Sequence, residues 1–547
     1  MHKKLLLLLL AGVWCAGSYV QAQDTTKRRT IDITSSFKPV LREAVKINFN
    51  AAPPAVDTSH PRLVYSIPSQ YMFLSYQPGE MKPVALQRDT LTPWENYNYI
   101  KLGVGSVVAP YARLGFSFGD GKSTFFNIFA NQVSSSGSLP YQKSSLTDVK
   151  LAGTYKTANN LEWNGSLGFK NDEYYLYGFP DTIKYTADQL RQTFQTYEFN
   201  GSLRNTVPTE FGLLYHPNLK FSVFSDNHTP QGMETNSVLN LPLEKTIGKE
   251  FAFDLGFTAD LTHYNLPVGT SAQNNNIYLV TPGFLVKTTN LFLQASVIPS
   301  WDKQVFHLLP NFVANISTND QRFTFQLGWI GYYDKGSYQR FESINPWLTQ
   351  PDTLENTRVY EPYVGFKGSL DNHFSYAAKV GFQEYYNMPL FVNDSINGGK
   401  DFQIRYATSM EALQLHGEVS YMQGEQFNVT ASVNINQYTD LKGQPTAWGL
   451  LPFEFKTALK WEAFKDFWAK VDLYTFDGAQ YRAPNGVSFK GGTGTDLNAG
   501  VEFRVLKQLN LWFQMNNIFN DKYERWHQYQ VYGFNVLGGI VFSFGQK

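Results

Sequence analysis

The chain has 547 residues, 46 Lys+Arg against 46 Asp+Glu, and aromatics at 16%. Charged residues make up only 17%, below the roughly 25% of an average soluble domain, which argues against a disordered, coiled-coil or collagen-like protein. Balanced charge with no basic block leaves no electrostatic footprint for nucleic acid.

Residues 1–22 read as a secretory signal. Lys3 and Lys4 supply the charged start, Leu5 to Ala16 the apolar stretch, and Val20-Gln21-Ala22 a small-residue cleavage site before Gln23. Twelve apolar residues are too few to span a bilayer core that needs about 20. The only cysteine, Cys15, lies in this segment, with Trp14 where a lipoprotein signal needs a small residue. The mature chain is then free of thiols, which excludes disulfides and cysteine-ligated metals. Loss of Lys3 and Lys4 leaves 44 basic against 46 acidic residues, a net charge of −2.

Residues 23–96 carry Pro39, Pro53, Pro54, Pro61, Pro68, Pro78, Pro83 and Pro93 among short apolar runs. Proline removes donors and interrupts regular elements, so a short, extended periplasmic segment is expected rather than a compact domain.

From residue 97 onward the signal has period two. Leu161, Trp163, Gly165, Leu167 and Phe169 alternate with Glu162, Asn164, Ser166, Gly168 and Lys170, and similar alternation runs through 251–262 and 427–436. Each such strand has one apolar and one polar face. The pattern holds for about 10 residues, the span of a tilted membrane strand, where soluble strands average about 5 or 6. Paired aromatics such as Tyr174 and Tyr175, Tyr332 and Tyr333, Tyr385 and Tyr386 suit interfacial girdles. Residues 97–547 are thus expected to form an all-β, transmembrane antiparallel barrel in the outer membrane, in contact with its lipid.

Strands are predicted near 97–107, 110–119, 122–134, 148–157, 160–171, 193–206, 210–224 and 233–245. They continue near 250–264, 275–287, 290–300, 303–316, 322–335, 357–369 and 373–387. The last fall near 410–421, 425–437, 446–461, 466–477, 496–506, 509–519 and 532–544, which makes 22. An even number suits a single-chain barrel with both termini on the periplasmic side. Residues 400–408 also read as strand but are assigned to a loop, because a further strand breaks parity. Long connections (135–147, 172–192, 336–356, 388–409, 478–495) alternate with tight ones such as Gly119 to Lys122. That asymmetry distinguishes external loops from periplasmic turns.

Asn516-Asn517-Ile518-Phe519-Asn520-Asp521-Lys522-Tyr523, followed by Val536, Gly538, Ile540, Phe542 and Phe544 on one face, resembles the end of the TonB-dependent receptor barrels. The family's barrel of 22 strands agrees with the count. Family barrels usually end on an aromatic, whereas Gly545-Gln546-Lys547 follow Phe544 here. Residues 23–96 are shorter than the plug domain such receptors place before the barrel, and Ile31-Asp32-Ile33-Thr34, which could be taken for a coupling box, is a pattern of four residues that arises by chance. The resemblance is therefore to plugless barrels of that kind and implies a fold and an address without an activity.

Catalytic signatures are sparse. The nine histidines show no HExxH or i, i+4 spacing, and no GxSxG elbow occurs. Asp226 and His228 form one acid–His couple; Asp394 to Asp401 is a polar, Gly-rich loop without EF-hand order. Ser134-Ser135-Ser136-Gly137 and Gly491-Gly492-Thr493-Gly494 read as loop tips that precede no helix. Asp-(Ser/Thr)-apolar triplets at Asp89, Asp181, Asp352 and Asp394 match a short bacterial O-glycosylation sequon. No catalytic residue, cofactor or metal is assigned, and an enzyme is not expected. The external-loop aromatics Tyr177, Phe179, Tyr338, Phe341 and Trp347 are candidate ligand contacts, or else pack loops over the mouth. The functional expectation is an accessory or scaffold barrel, its lumen filled by its own segments or by a membrane or periplasmic protein partner. The alternative is a receptor-like transporter or channel for a nutrient or hydrophobic solute.

Overall fold

The computed structural model describes residues 97–545, apart from 121, 181–182, 266–271, 372, 395–397, 425 and 484–485. The expected signal and proline-rich segment lie outside the described residues. Twenty-two long strands, each antiparallel to its neighbours, form one sheet, joined by the short ribbons Leu213–Tyr215 and Gln273–Asn274. The sheet closes where Tyr97–Gly105 pairs with Asn535–Gly545, in register from Tyr97↔Gly545 to Gly105↔Leu537. Closure leaves no sheet edge unpaired, the condition for backbone to cross hydrocarbon.

Alternation sets the two faces. Phe253, Leu255 (51% exposed) and Phe257 point outward from strand Phe251–Asn265, while Ala252 and Thr262 are buried inside. The inward face is a ladder of polar pairs. Gln383 donates to Gln414 (2.8 Å), Gln414 to Asn436 (3.2 Å), and Asn236 to Asp260 (2.7 Å). At the seam the Trp512 indole lies over Gly103 and donates to the Leu102 carbonyl at 3.2 Å. A β-carbon on Gly103 would sit 2.4 Å from that ring, so the position demands glycine.

One rim carries both barrel termini and mostly tight turns, and is the periplasmic rim. In one of these turns the Asp120 carboxylate accepts the backbone N–H groups of Lys122, Ser123 and Thr124 at 2.9, 2.8 and 2.8 Å. Together with the Ser123 hydroxyl, these donors hold its pKa below the usual carboxylate range. The opposite, outer rim carries the connections 176–190, 335–356, 394–401, 443–452, 477–493 and 517–534.

Several boundaries differ from the sequence reading. Residues 402–408 belong to the 22-residue strand Phe402–Gln423, and Phe374–Asn393 lengthens to match it. Parity survives because both strands simply continue past the bilayer in one hairpin, Asn393 pairing with Phe402. The strand expected over 210–224 breaks at Pro217, whose missing N–H interrupts the ladder, into Leu213–Tyr215 and Asn218–Asp226. Residues 446–452 are outer loop, and that strand begins at Phe453. Ser134, Ser135 and Ser136 are not a loop tip; they end strand Thr124–Ser136, where Ser134 Oγ lies 3.0 Å from Ser145 Oγ across the ladder. Outer connections at 106–107 and 303–304 are tight, as the strand bounds read from the sequence imply. Of the paired aromatics, Tyr174, Tyr175 and Tyr385 pack into apolar clusters at the outer mouth instead of a lipid girdle.

The register places Val433 opposite Gly417, and Asn434 beside His416 with 2.7 Å between Oδ1 and Nδ1. Val433 therefore faces lipid and Asn434 the lumen. Val433→Arg is expected to cost about 2–4 kcal/mol near the midplane, against a mild effect for Asn434→Arg. Urea titration of refolded protein in vesicles measures both; equal losses would refute the assigned faces.

Candidate functional site: the capped outer mouth

The largest apolar core of the described residues lies across the outer mouth. It joins Leu176 and Leu190, Phe194 and Phe224, Tyr264, Tyr338, Phe341, Phe391, Phe402, Trp526 and Tyr529, among others, drawn from strand ends and five outer connections. Much of the lumen-facing side is polar below it, apart from a smaller cluster of Trp512, Leu537 and Val541 at the seam, so this belt of aromatics is a lid over the mouth.

The hairpin extension is the lid's central element. Met388–Asn393 pairs with residues 402–407, and both its faces are buried. Phe391 turns into the aromatic core, while Leu390 and Val392 pack with Met410, Trp448 and Leu450 in a second cluster. The sequence carries the mark of this: Met388-Pro389-Leu390-Phe391-Val392 is a continuous apolar run, as strands covered on both sides have.

Ring contacts run through the lid in two networks, one around Tyr338 and one from Phe341 to Tyr177. Tyr338 meets Phe224 edge-on at 5.0 Å and Tyr264 at 5.7 Å. Phe341 contacts Phe391 (6.3 Å), Phe391 contacts Trp526 (5.3 Å), and Phe402 touches both Trp526 and Tyr529. Trp347 stacks on Tyr529 at 3.9 Å, and Tyr177 meets that pair edge-on at 4.8 and 5.9 Å. Phe179 packs on Tyr185 at 4.9 Å.

Two carboxylates fix the short helix Tyr338–Ile344 to the wall. Glu234 accepts the Ser337 hydroxyl at 2.7 Å and the Tyr338 N–H at 2.6 Å, satisfying groups at the helix start. Asp226 accepts the Tyr338 hydroxyl at 2.9 Å, Gln350 Nε2 at 2.8 Å, and the N–H groups of Gly232 and His228 at 2.9 and 3.0 Å. His228 Nδ1 is 3.2 Å from the same carboxylate. Asp226 and His228, singled out as an acid–His couple, are thus a structural hub that ties a turn, a strand end and a loop. On the far side, Tyr177 donates to the Gln530 carbonyl (2.8 Å), Trp347 to that of Tyr175 (3.3 Å), and Tyr529 to that of Lys400.

All five candidate aromatics are brought together in this lid. Tyr338 and Phe341 are fully buried within it, whereas Tyr177, Phe179 and Trp347 are half-buried against it. Glu342, on the same helix, is enclosed, and burial followed by the nearby Asp172 charge pushes its pKa up to about 8, with Lys170 opposing. Burial likewise raises the Tyr338 and Tyr529 hydroxyls well above their ordinary value. Among the described residues, no group of three His, Cys, Asp or Glu is placed to hold a metal ion.

No family model and no curated protein matches the sequence. Solved structures do match it in fold. The siderophore receptor PirA from Pseudomonas aeruginosa is similar at TM-score 0.58 and 11% identity, over 83% of this chain and 81% of that one. The FrpB iron transporter from Neisseria meningitidis gives 0.64 at 10% identity, over 82% of each chain. The ferric enterobactin receptor PfeA of Pseudomonas aeruginosa gives 0.63 at 10%, over 82% of this chain and 81% of that one. The chain thus has the 22-stranded outer-membrane barrel of such receptors, and the resemblance carried by its C-terminal residues holds for the barrel.

Two outcomes follow for the lid. Phe391→Ala removes a fully buried ring at its centre and should cost about 3–5 kcal/mol of its closure, read as faster cleavage of residues 394–401 by added protease. Glu342 is protonated in the closed lid and ionised in a released loop between its ordinary 4.5 and about 8. Closure is therefore strongest at low pH and weakens as pH rises across that window. Protease cleavage within 335–356 should be several-fold faster at pH 8.5 than at pH 5, and Glu342→Gln should flatten the dependence.

Proposed function

We propose that this protein is a gated uptake barrel of the outer membrane, with the aromatic lid as its gate. The observation that carries the reading is the pairing of a closed barrel with polar pairs along its lumen and a lid made of the chain's own strand ends and outer connections. A lumen lined by Gln383, Gln414, Asn436, Asn236 and Asp260 suits a solvated path rather than a packed core. The likeness to siderophore and iron receptors supports the same reading in preference to a purely accessory barrel. The solute class is a nutrient or hydrophobic compound with flat apolar groups. Tyr177, Phe179 and Trp347, the half-buried members of the lid, are its proposed first contacts, since stacking on rings needs access to one face.

A scaffold role remains the second reading, favoured by one observation: the lid is tied to the wall by the chain's own groups, Asp226 and Glu234 accepting the Tyr338 and Ser337 hydroxyls. In that case a membrane or periplasmic protein partner is the binding counterpart. Residues 23–96, which precede the first strand, are the proposed lumen-filling or docking segment under either reading.

Planar-bilayer recordings separate the two. For a gated path, wild type should show low conductance, and Phe391→Ala combined with deletion of residues 24–90 should show large, stable steps. For a scaffold, conductance should stay low in that variant, while a protein that co-purifies with wild type in mild detergent is lost. A variant that inserts, stays closed and keeps every partner would overturn the uptake reading.

A further inference from the structure

The lipid-facing wall carries a trough that the lid and lumen do not use. One register row crosses six strands as Phe126↔Gly153↔Gly165↔Gly201↔Leu219↔Leu239, with three consecutive glycines at its centre. The row on its periplasmic side reads Tyr155↔Trp163↔Leu203, and the row toward the midplane Leu151↔Leu167↔Phe199. Trp163 and Leu167 are 50% and 55% exposed, so both rows stand proud of the glycine floor. Phe126 leans to within 3.6 Å of where a Gly153 β-carbon would sit, and Phe199 to within 3.1 Å of that of Gly201. The result is a cavity of about 710 Å³.

We propose that this trough binds one acyl chain of a glycerophospholipid in the periplasmic leaflet. Three arguments select that occupant. Trp163 lies two residues inside the start of strand Leu161–Tyr175, and Tyr155 one residue inside the end of Lys143–Lys156. Their rings therefore mark the periplasmic interface, with the glycine floor just below it in hydrocarbon. Every strand crossing the floor is fully paired with its neighbours, so the occupant needs no hydrogen-bonding groups. Size settles the rest. Strand and residue spacings make the floor roughly 14 Å by 13 Å, about 200 Å², against the roughly 800 Å² per partner that a stable protein pair buries. The cavity volume is instead that of a site for one small apolar ligand.

Glycine is the means by which the groove exists. A β-carbon at Gly165 meets only the Asn200 carbonyl, at 4.0 Å, and one at Gly153 meets nothing nearer than 3.6 Å. Side chains at these positions would fill the trough without disturbing the strands. The test is native mass spectrometry of the full chain in mild detergent, after incubation with 1-palmitoyl-2-oleoyl-phosphatidylethanolamine and detergent exchange. Wild type should retain one lipid per chain. Gly153→Leu/Gly165→Leu should reduce retention about tenfold, a loss worth about 1.4 kcal/mol, with unchanged heat-modifiable migration. Gly165→Leu alone is the second variant if the double variant fails to fold, with the same loss expected. Equal retention by a folded variant, or no retained lipid in wild type, overturns the proposal. So does a wild-type dimer that the variant dissociates, since a second copy would then be the occupant.

Discussion

Unpaired backbone amides are intolerable in hydrocarbon, and the structure depends on how this chain avoids them. Each N–H or C=O left bare in the bilayer costs several kcal/mol, which restricts spanning structures to helices and closed sheets. With no segment of about 20 apolar residues, the chain has only the second route. The sheet must close on itself, strand Tyr97–Gly105 on Asn535–Gly545. Closure then dictates the composition of both faces: Leu255 and Trp163 outward, Gln414 and Asn436 inward.

A wide polar lumen creates the opposite problem at the mouth, where water meets a large opening. Here the chain reverses the local rule and places aromatics inward. The hairpin of Met388 to Ala407 makes the transition visible, since the same two strands face lipid below, while above it Met388–Asn393 is buried on both sides. Asp226 and Glu234 then hold the lid to the wall through paired hydrogen bonds, so these two carboxylates are not stranded among the rings. Lid and wall are joined in one sheet through that hairpin.

The barrel was legible in the sequence because its determinants are local. Alternation, strand length and the contrast of tight with long connections all survive in a single chain read by itself. The assignment of 400–408 to a loop failed for an instructive reason: parity counts turns, and a strand that runs on past the bilayer adds none. The lid was only half legible. Tyr338, Phe341 and Trp347 stand out as loop aromatics, but their partners Phe391, Phe402, Trp526 and Tyr529 come from distant connections. Only the unbroken apolar run at 388–392 signalled burial on both faces. The glycine trough was less legible still, since Gly153, Gly165 and Gly201 are unremarked strand glycines until register aligns them.

The seam has a consequence for how the molecule comes into being. Its two strands stand at opposite ends of the described barrel, and the Trp512 to Leu102 bond links residues 410 positions apart. Loop closure across such a separation is among the slowest steps a sheet can require. Every hairpin can form as the chain emerges, yet the curved sheet keeps two free edges until its final strand arrives. A growing chain is therefore an open ribbon prone to pairing with the wrong neighbour. Those edges stay exposed until the last residues of the barrel bring them together, so the C-terminal strand decides when the sheet is safe from mispairing.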